Sequence, residues 1–365
     1  MILLHIARIN NNLANGVTQV VPQYMDHQFG NATIALLNCG STTLLENKPY
    51  KVFNFTDYMN GDITQLEYPF NKPDLVIFHE IYHPYFLKVC KYLTRNNIKY
   101  IIVPHGGLTK DAQNKKRLKK VVANNTVFRY YLKNSTAIQY LSKNEDENSK
   151  VINTKFKIIS GNGMHISERE KVSGYENKDF LITFIGRLDI FHKGLDLLVE
   201  GCSLIKKDII DKNIIIKIYG PDRDDGKRIL SEKIKKSGLD RNIYINEAVF
   251  GEDKEKILNN TDIIILPSRF EGQPLVGIEA ICKGIPLIAT KGSNLTEEIT
   301  KYNCGWTCET SSREISETIL KAYNDRKKID QLAKNCIVCA QNHFDWTKIT
   351  RNLMNEYNNI LKMEM

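Results

Sequence analysis

Residues 261–291, TDIIILPSRFEGQPLVGIEAICKGIPLIATK, read as strand, loop, helix, strand. Asp262–Leu266 is a short apolar run of β-branched residues, the mark of a buried parallel strand. Pro267–Gln273 is polar and turn-rich. Pro274 suits the first helical position, where its missing N–H costs nothing. The helix then runs to about Lys283 and stops at Gly284, and Ile285–Ala289 begins a second buried strand. Such a loop aims free backbone N–H groups and the positive end of a helix dipole at whatever lies above the sheet. An anion such as a diphosphate binds in such a place.

Two carboxylates flank that anion site. Glu271 lies in the loop, and Glu279 lies about 7 Å along the helix from Pro274, at roughly 1.5 Å per residue. Carboxylates accept hydroxyl groups, and a nucleotide sugar carries its sugar and its ribose on opposite sides of a diphosphate. The spacing matches that layout.

The same alternation extends in both directions. Ile2–Ala7, Ala32–Asn38, Tyr50–Phe53, Pro73–His79, Lys99–Pro104 and Ala137–Ser142 read as strands. Between them lie helices over Val17–Gln28, kinked near Pro22, and Pro84–Arg95, and a long basic helical stretch over Lys110–Leu132. Lys143–Lys150 is a charged segment. The pattern restarts near residue 155. Phe180–Gly186, Ile214–Tyr219, Asn242–Asn246 and Gly305–Thr307 join the strands at 262–266 and 285–289, with helices between and after them. Lys157–Ser160 leads into a turn at Gly161-Asn162-Gly163. Ser173–Lys178 is the candidate hinge. Phe344-Asp-Trp346 breaks the pattern before a final amphipathic helix, Lys348–Lys362. The expected fold is α/β, with two Rossmann-like doubly wound domains facing a central cleft. The expected boundaries are 1–156, 157–345, and a terminal helix, 346–365, that crosses back to the first domain.

A chain of 365 residues suits two domains. The net charge of +9 points to an anionic partner. No apolar run is long enough to span a bilayer. The apolar start lacks a basic n-region and a cleavage site, so it reads as a strand. Eight scattered cysteines suit a reducing cytoplasm. Cys336 and Cys339 have metal-like spacing but no companion ligands, and read as packing. Lys115, Lys116, Arg117, Lys119 and Lys120 form a basic face suited to an anionic membrane surface. No nucleic-acid-binding motif accompanies the charge, so no nucleic-acid partner is expected.

The segment Glu271-Gly-Gln-Pro-Leu-Val-Gly-Ile-Glu279 resembles the E-x7-E signature of retaining glycosyltransferases of GT-B fold, family 4, known as glycosyl transferases group 1. It departs at Gln273, where an aromatic residue is common. Gly186-Arg187-Leu188 with Lys193-Gly194 resembles the family's diphosphate-binding pair. The resemblance implies that Arg187 and Lys193 hold the donor diphosphate as it leaves. It implies that Glu271 meets sugar hydroxyls, that Glu279 binds the ribose, and that His105, in Pro-His-Gly-Gly, lines the cleft near the transferred sugar. Gly272, Gln273, Pro274, Leu275 and Val276 fall in the donor-binding segment. Gly220 is similar to the glycine that faces the nucleotide, and Val249 with Phe250 to the segment that packs on the base. Gly16 follows Asn15 where the family usually has Gly-Gly.

Together these features imply a metal-independent hexosyltransferase with no cofactor. Its co-substrate is a nucleotide sugar, with UDP the expected nucleotide. Its acceptor is a hydroxyl on a glycan or lipid-linked intermediate. The alternatives are a GT-B sugar-nucleotide epimerase and a catalytically silent sugar-nucleotide-binding protein.

Overall fold

The computed structural model describes residues 1–13, 15–58, 62–114, 117–149, 156–167 and 179–363. The expected hinge at 173–178 lies outside them, as do Lys115 and Lys116. The chain divides into two compact units, Met1–Asn162 with Trp346–Met365, and Gly163–Asp345.

The first unit holds seven strands: β1 (Ile2–Ala7), β2 (Thr33–Asn38), β3 (Lys51–Asn54), β4 (Leu75–His79), β5 (Lys99–Val103), β6 (Ala137–Tyr140) and β7 (Phe156–Ile159). Their order is β3-β2-β1-β4-β5-β6-β7, and every pairing is parallel. The boundary expected at 156/157 therefore moves to 162/163. Phe156–Ile159 is an edge strand of the first sheet, paired with Ala137–Tyr140, where its alternating Phe-Lys-Ile-Ile pattern needs only one buried face.

The second unit holds β8 (Phe180–Ile185), β9 (Ile214–Tyr219), β10 (Ile243–Asn246), β11 (Ile263–Leu266), β12 (Leu287–Thr290) and β13 (Gly305–Cys308). Their order is β10-β9-β8-β11-β12-β13, again all parallel. The central strands β8, β9 and β11 are mostly Ile, Leu and Phe because helices cover both faces. Ile216, Ile218, Ile263 and Ile265 pack on one face with Leu195, Leu198 and Ile319. Ile264, Leu266, Leu287 and Ala289 pack on the other with Ile278, Ile281 and Cys339. Burying one such side chain contributes about 2 kcal/mol. Cys336 and Cys339 are both buried on the helix Ile329–His343.

Three local readings change. Pro274 is the N-cap, not the first helical residue: its ψ of 104° is extended, while its carbonyl accepts the first helical bond, from Ile278 N at 3.1 Å. The long helix expected over Lys110–Leu132 does not run through: Lys110–Asn114, Arg117–Asn125 and Arg129–Lys133 are helical, and the chain turns at 126–128. Asn124, Asn125 and Thr126 are poor helix formers, and burying Phe128 turns the chain there. The segment 143–150 is not simply solvated charge. Ser142 caps the helix Lys143–Asn148, and Glu145 within it is buried.

The terminal helix, Trp346–Lys362, packs in the first unit against the helix Gly16–Gln28. Lys99, a buried cation at the start of β5, holds its end. Its Nζ donates to the carbonyls of Ile360 at 2.9 Å, Leu361 at 3.0 Å and Met363. Those carbonyls end the helix, that of Ile360 also accepting from Met363 N at 3.3 Å, and the helix dipole makes them the negative end. Lys99→Met keeps the stem and removes the donors. It is expected to lower stability by about 1–3 kcal/mol and to speed amide exchange in the last turn of that helix. Unchanged exchange there would sink the capping assignment.

Candidate functional site

Open α/β sheets bind ligands at their carboxyl edge, where the strand order reverses. In the second sheet the reversal falls between β8 and β11. The chain leaving β8 is Gly186-Arg187-Leu188, and the chain leaving β11 is Pro267 to Gln273. Sequence-distant residues meet there because those two strands are neighbours.

Lys193 and Glu271 form a part-buried ion pair across this junction. Ser268 Oγ donates to the same carboxylate at 2.8 Å, and His192 Nε2 lies 3.9 Å from its other oxygen. Burial acts most strongly on Glu271 and pushes its pKa up, but the charges of Lys193 and His192 and the hydrogen bonds from Lys193 and Ser268 outweigh it. The carboxyl is held below its usual range. His192 stacks on Phe270, with centroids 4.2 Å apart. Burial lowers its pKa, against the pull of Glu271. Arg269 forms a fork to Asp196 at 2.7 and 2.8 Å and fixes the loop from its other side.

Arg187 differs from these cations. It is half-buried, and it makes no hydrogen bond or ion pair among the described residues. Burial lowers its pKa, and the neighbouring Arg223 lowers it further. A guanidinium with an unspent fork of donors beside a second arginine is a receptor for an anion.

Two glycines are fixed by backbone approach. Gly194 has φ +63°, and a Cβ there would lie 1.9 Å from the Pro267 carbonyl oxygen. A Cβ at Gly220 would lie 1.8 Å from the Gly186 carbonyl oxygen. Gly220 is therefore demanded by the packing of the β8 and β9 exits, whatever else it faces.

The helix Leu275–Cys282 presents its N-terminus at the same edge. Gly272 accepts a bond from Asn294 Nδ2 through its carbonyl. Val276 and Val249 pack against the buried cluster under the helix, while Gln273 and Leu275 stay half-buried at its entrance. Glu279 pairs with Lys254, from the helix Gly251–Asn259. Phe250, just before that helix, is 41% exposed.

His105 and Gly16 belong to the first unit. Gly16 opens its helix, and Asn15 is the N-cap, its Oδ1 accepting from Val17 N at 3.0 Å. That explains why Asn15 stands where a glycine is usual. His105 follows β5 with φ +48°, and Glu80 follows β4 with φ +73°. Non-glycine residues held in this region carry strain that marks functional sites. Glu145 fixes the His105 loop: its carboxylate accepts from Gly106 N at 2.6 Å and Leu141 N at 2.7 Å. His105 Nε2 lies 3.0 Å from His79 Nδ1. Burial holds the His105 pKa down at about 4.

Lys254, Ser268, Asp196 and Glu145 were not singled out in the sequence. Each acts through a partner brought close by the fold, and no spacing signals it. Among the described residues no three His, Cys, Asp or Glu side chains are grouped as metal ligands.

Residues 166–337, nearly the whole second unit, match the model of the glycosyl transferases group 1. Over those residues the chain is similar to that family. It is 25% identical over 186 residues to mannosylfructose-phosphate synthase of Agrobacterium fabrum, covering 50% of this chain and 40% of that one. It is 26% identical over 187 residues to N,N'-diacetylbacillosaminyl-diphospho-undecaprenol alpha-1,3-N-acetylgalactosaminyltransferase of Campylobacter jejuni, covering 51% and 46%. The chain thus spans about half the length of these curated relatives. The structure is similar to that of HepE from Anabaena in complex with UDP-glucose, with a TM-score of 0.76 at 17% identity, over 98% of this chain and 100% of that one. At that identity the likeness is one of fold, and the fold is GT-B.

Within the second unit, the cation of Lys193 keeps Glu271 ionised. In the native protein that carboxyl is held below its ordinary value. Its stabilising contribution is therefore present above the unfolded pKa, roughly 4.3, and is lost as pH falls through the lower folded one. Lys193→Met leaves burial dominant, which raises the carboxyl above the unfolded value and reverses the sign. The variant is expected to lose on the order of 3 kcal/mol at pH 7 and less at pH 5, by urea unfolding. An equal loss at both pH values rejects the assignment.

Proposed function

We propose that this protein is a retaining, metal-independent hexosyltransferase of glycosyltransferase family 4. It moves a sugar from a nucleotide sugar, with UDP the nucleotide, to an acceptor hydroxyl. The observation that carries this reading is the unpaired, half-buried Arg187 beside the Lys193–Glu271 pair at the sheet's switch point. A diphosphate there meets the Arg187 fork, the Lys193 ammonium and the N-terminus of the helix Leu275–Cys282. These supply fixed positive charge to the leaving group without a metal. Glu271, ionised by Lys193, accepts hydroxyls of the transferred sugar. Glu279, tethered by Lys254, accepts those of the ribose. Phe250 offers an exposed ring beside the base. Departure of the diphosphate leaves oxocarbenium character on the sugar. The acceptor attacks from the same face, and its proton passes to the departing phosphate oxygen. No protein nucleophile is required.

The acceptor we propose is a glycan or lipid-linked intermediate, a chemistry that the name of the Campylobacter jejuni relative carries. No helix among the described residues is long and apolar enough to cross a membrane. The helix Arg117–Asn125 buries none of its side chains. Leu118, Val121 and Val122 lie on one face, 83%, 49% and 62% exposed, with Arg117 and Lys119 beside them. Such a helix seats its apolar face in the headgroup region. Of the cluster expected there, Lys120 is partly spent, 5.4 Å over the Tyr82 ring.

Incubation with a panel of nucleotide sugars in EDTA is expected to release nucleoside diphosphate slowly. Formation of a new sugar nucleotide would instead indicate an epimerase, and no turnover a silent binder. Turnover that EDTA abolishes and Mn²⁺ or Mg²⁺ restores rejects the cation account. The carboxylates separate further. Glu271→Gln is expected to lower kcat by roughly a hundredfold or more, if it removes about 3 kcal/mol of transition-state stabilisation, and to leave nucleoside diphosphate affinity intact. Glu279→Gln is expected to weaken that affinity and raise the donor KM. Calorimetry showing the reverse pattern would exchange the two roles.

For the membrane, Leu118→Ser with Val122→Ser is expected to reduce sedimentation with anionic vesicles. Arg117→Gln with Lys119→Gln should weaken it by about 1 kcal/mol per cation removed. Binding that survives both pairs places the contact elsewhere.

A further inference from the structure

Three histidines step across the first sheet at its own switch point, between β1 and β4. His5 Nδ1 lies 3.0 Å from His79 Nε2, and His79 Nδ1 lies 3.0 Å from His105 Nε2. His5 and His79 are fully buried, and burial holds their pKa values well below the usual one. All three rings are therefore neutral, and each carries one proton. One hydrogen lies between each pair of nitrogens, so all three rings must be the same tautomer. Either all are Nε2–H, which leaves His105 Nδ1 an acceptor, or all are Nδ1–H, which makes it a donor. His105 Nδ1 has no hydrogen bond among the described residues, and His105 is partly exposed.

The far end of the chain makes the choice. Gln139 Nε2 lies 3.4 Å from the Ser160 carbonyl and 2.6 Å from Tyr24 Oη. A carbonyl only accepts, so Gln139 turns its amide nitrogen there. Its Oε1 faces Tyr357, whose hydroxyl donates to it at 3.0 Å. With its proton spent, Tyr357 Oη can only accept further. Gln28 is buried, and neither of its amide atoms has a hydrogen-bond partner within bonding distance, nor does His5 Nε2. Its amide lies against both Tyr357 and His5. The amide nitrogen belongs toward the Tyr357 oxygen, and the Gln28 oxygen then faces His5 Nε2.

We infer that this buried chain, running from the Ser160 carbonyl through Gln139, Tyr357, Gln28, His5 and His79, fixes His105 as the Nε2–H tautomer and presents its Nδ1 as a hydrogen-bond acceptor. A sugar hydroxyl is the matching donor. That assignment of the ligand rests on the glycosyltransferase reading, whereas the chain itself does not. His5, His79, Gln28 and Tyr357 are positioning residues, since only His105 faces outward. Tyr357 lies on the terminal helix, so that helix sets the tautomer of a residue two sheet strands away.

Protein labelled with ¹⁵N at histidine is examined by long-range ¹H–¹⁵N correlation, which reads tautomers directly. The wild type is expected to show His5, His79 and His105 all as Nε2–H. Tyr357→Phe keeps the ring and frees Gln28 to rotate. It is expected to bring in a second set of His105 signals of the Nδ1–H form, and to lower kcat with nucleoside diphosphate affinity unchanged. A wild type in which the three tautomers differ or are all Nδ1–H overturns the inference without any variant. So does a Tyr357→Phe protein whose His105 signals do not change. Because the spectra need no turnover, a protein with the expected tautomers but no transfer activity would overturn the glycosyltransferase reading and leave the chain standing.

Discussion

Parallel strand pairing governs where polar groups can go in this protein. Every strand in both sheets runs parallel to its neighbours. Parallel strands need crossovers, and the helices that make them cover both faces. The faces are consequently apolar, and charged side chains find room at the strand ends. Where strand order reverses, two crossovers depart in opposite directions and leave a crevice. Arg187 and Glu271 stand at that point in the second sheet, and His5 and His79 at the equivalent point in the first.

The second unit's site is electrostatically uneven. Glu271 has Lys193, Glu279 has Lys254, and Asp196 has Arg269. Each of these part-buried carboxylates is thereby fixed in place, and the charges of Lys193 and His192 hold that of Glu271 below its usual range. Arg187 is left over, with Arg223 beside it. Its guanidinium fork has no hydrogen-bonded partner among the described residues, while Arg223 lies 3.9 Å from Asp189 and 3.5 Å from Asp224.

The first unit uses neutral groups instead. His5, His79 and His105 are kept uncharged by burial, so they pass directional information by hydrogen bonds alone. A neutral chain of this kind is sensitive to its ends, because each amide or hydroxyl can be donor or acceptor but not both toward one partner. The terminal helix supplies one such end through Tyr357, and Lys99 holds that helix in place.

The sequence by itself determined the strands, their parallel pairing and the residues of the loop at 267–273. Apolar runs bounded by turns report burial directly, and Glu271, Glu279, Arg187 and Lys193 sit in local motifs at the ends of such runs. Only the tertiary structure decided what those residues touch. The Lys193–Glu271 pair joins residues 78 apart in sequence, and Lys254 meets Glu279 from another crossover. The strand at 156–159 joined the first sheet because β6 offered an open edge, a fact of pairing that its own residues do not record. Ser268, Glu145 and the path from Tyr357 to His105 were illegible for the same reason. A hydrogen bond depends on distances of a few tenths of an ångström between groups that the chain brings together from far apart, and no pattern along the sequence encodes that distance.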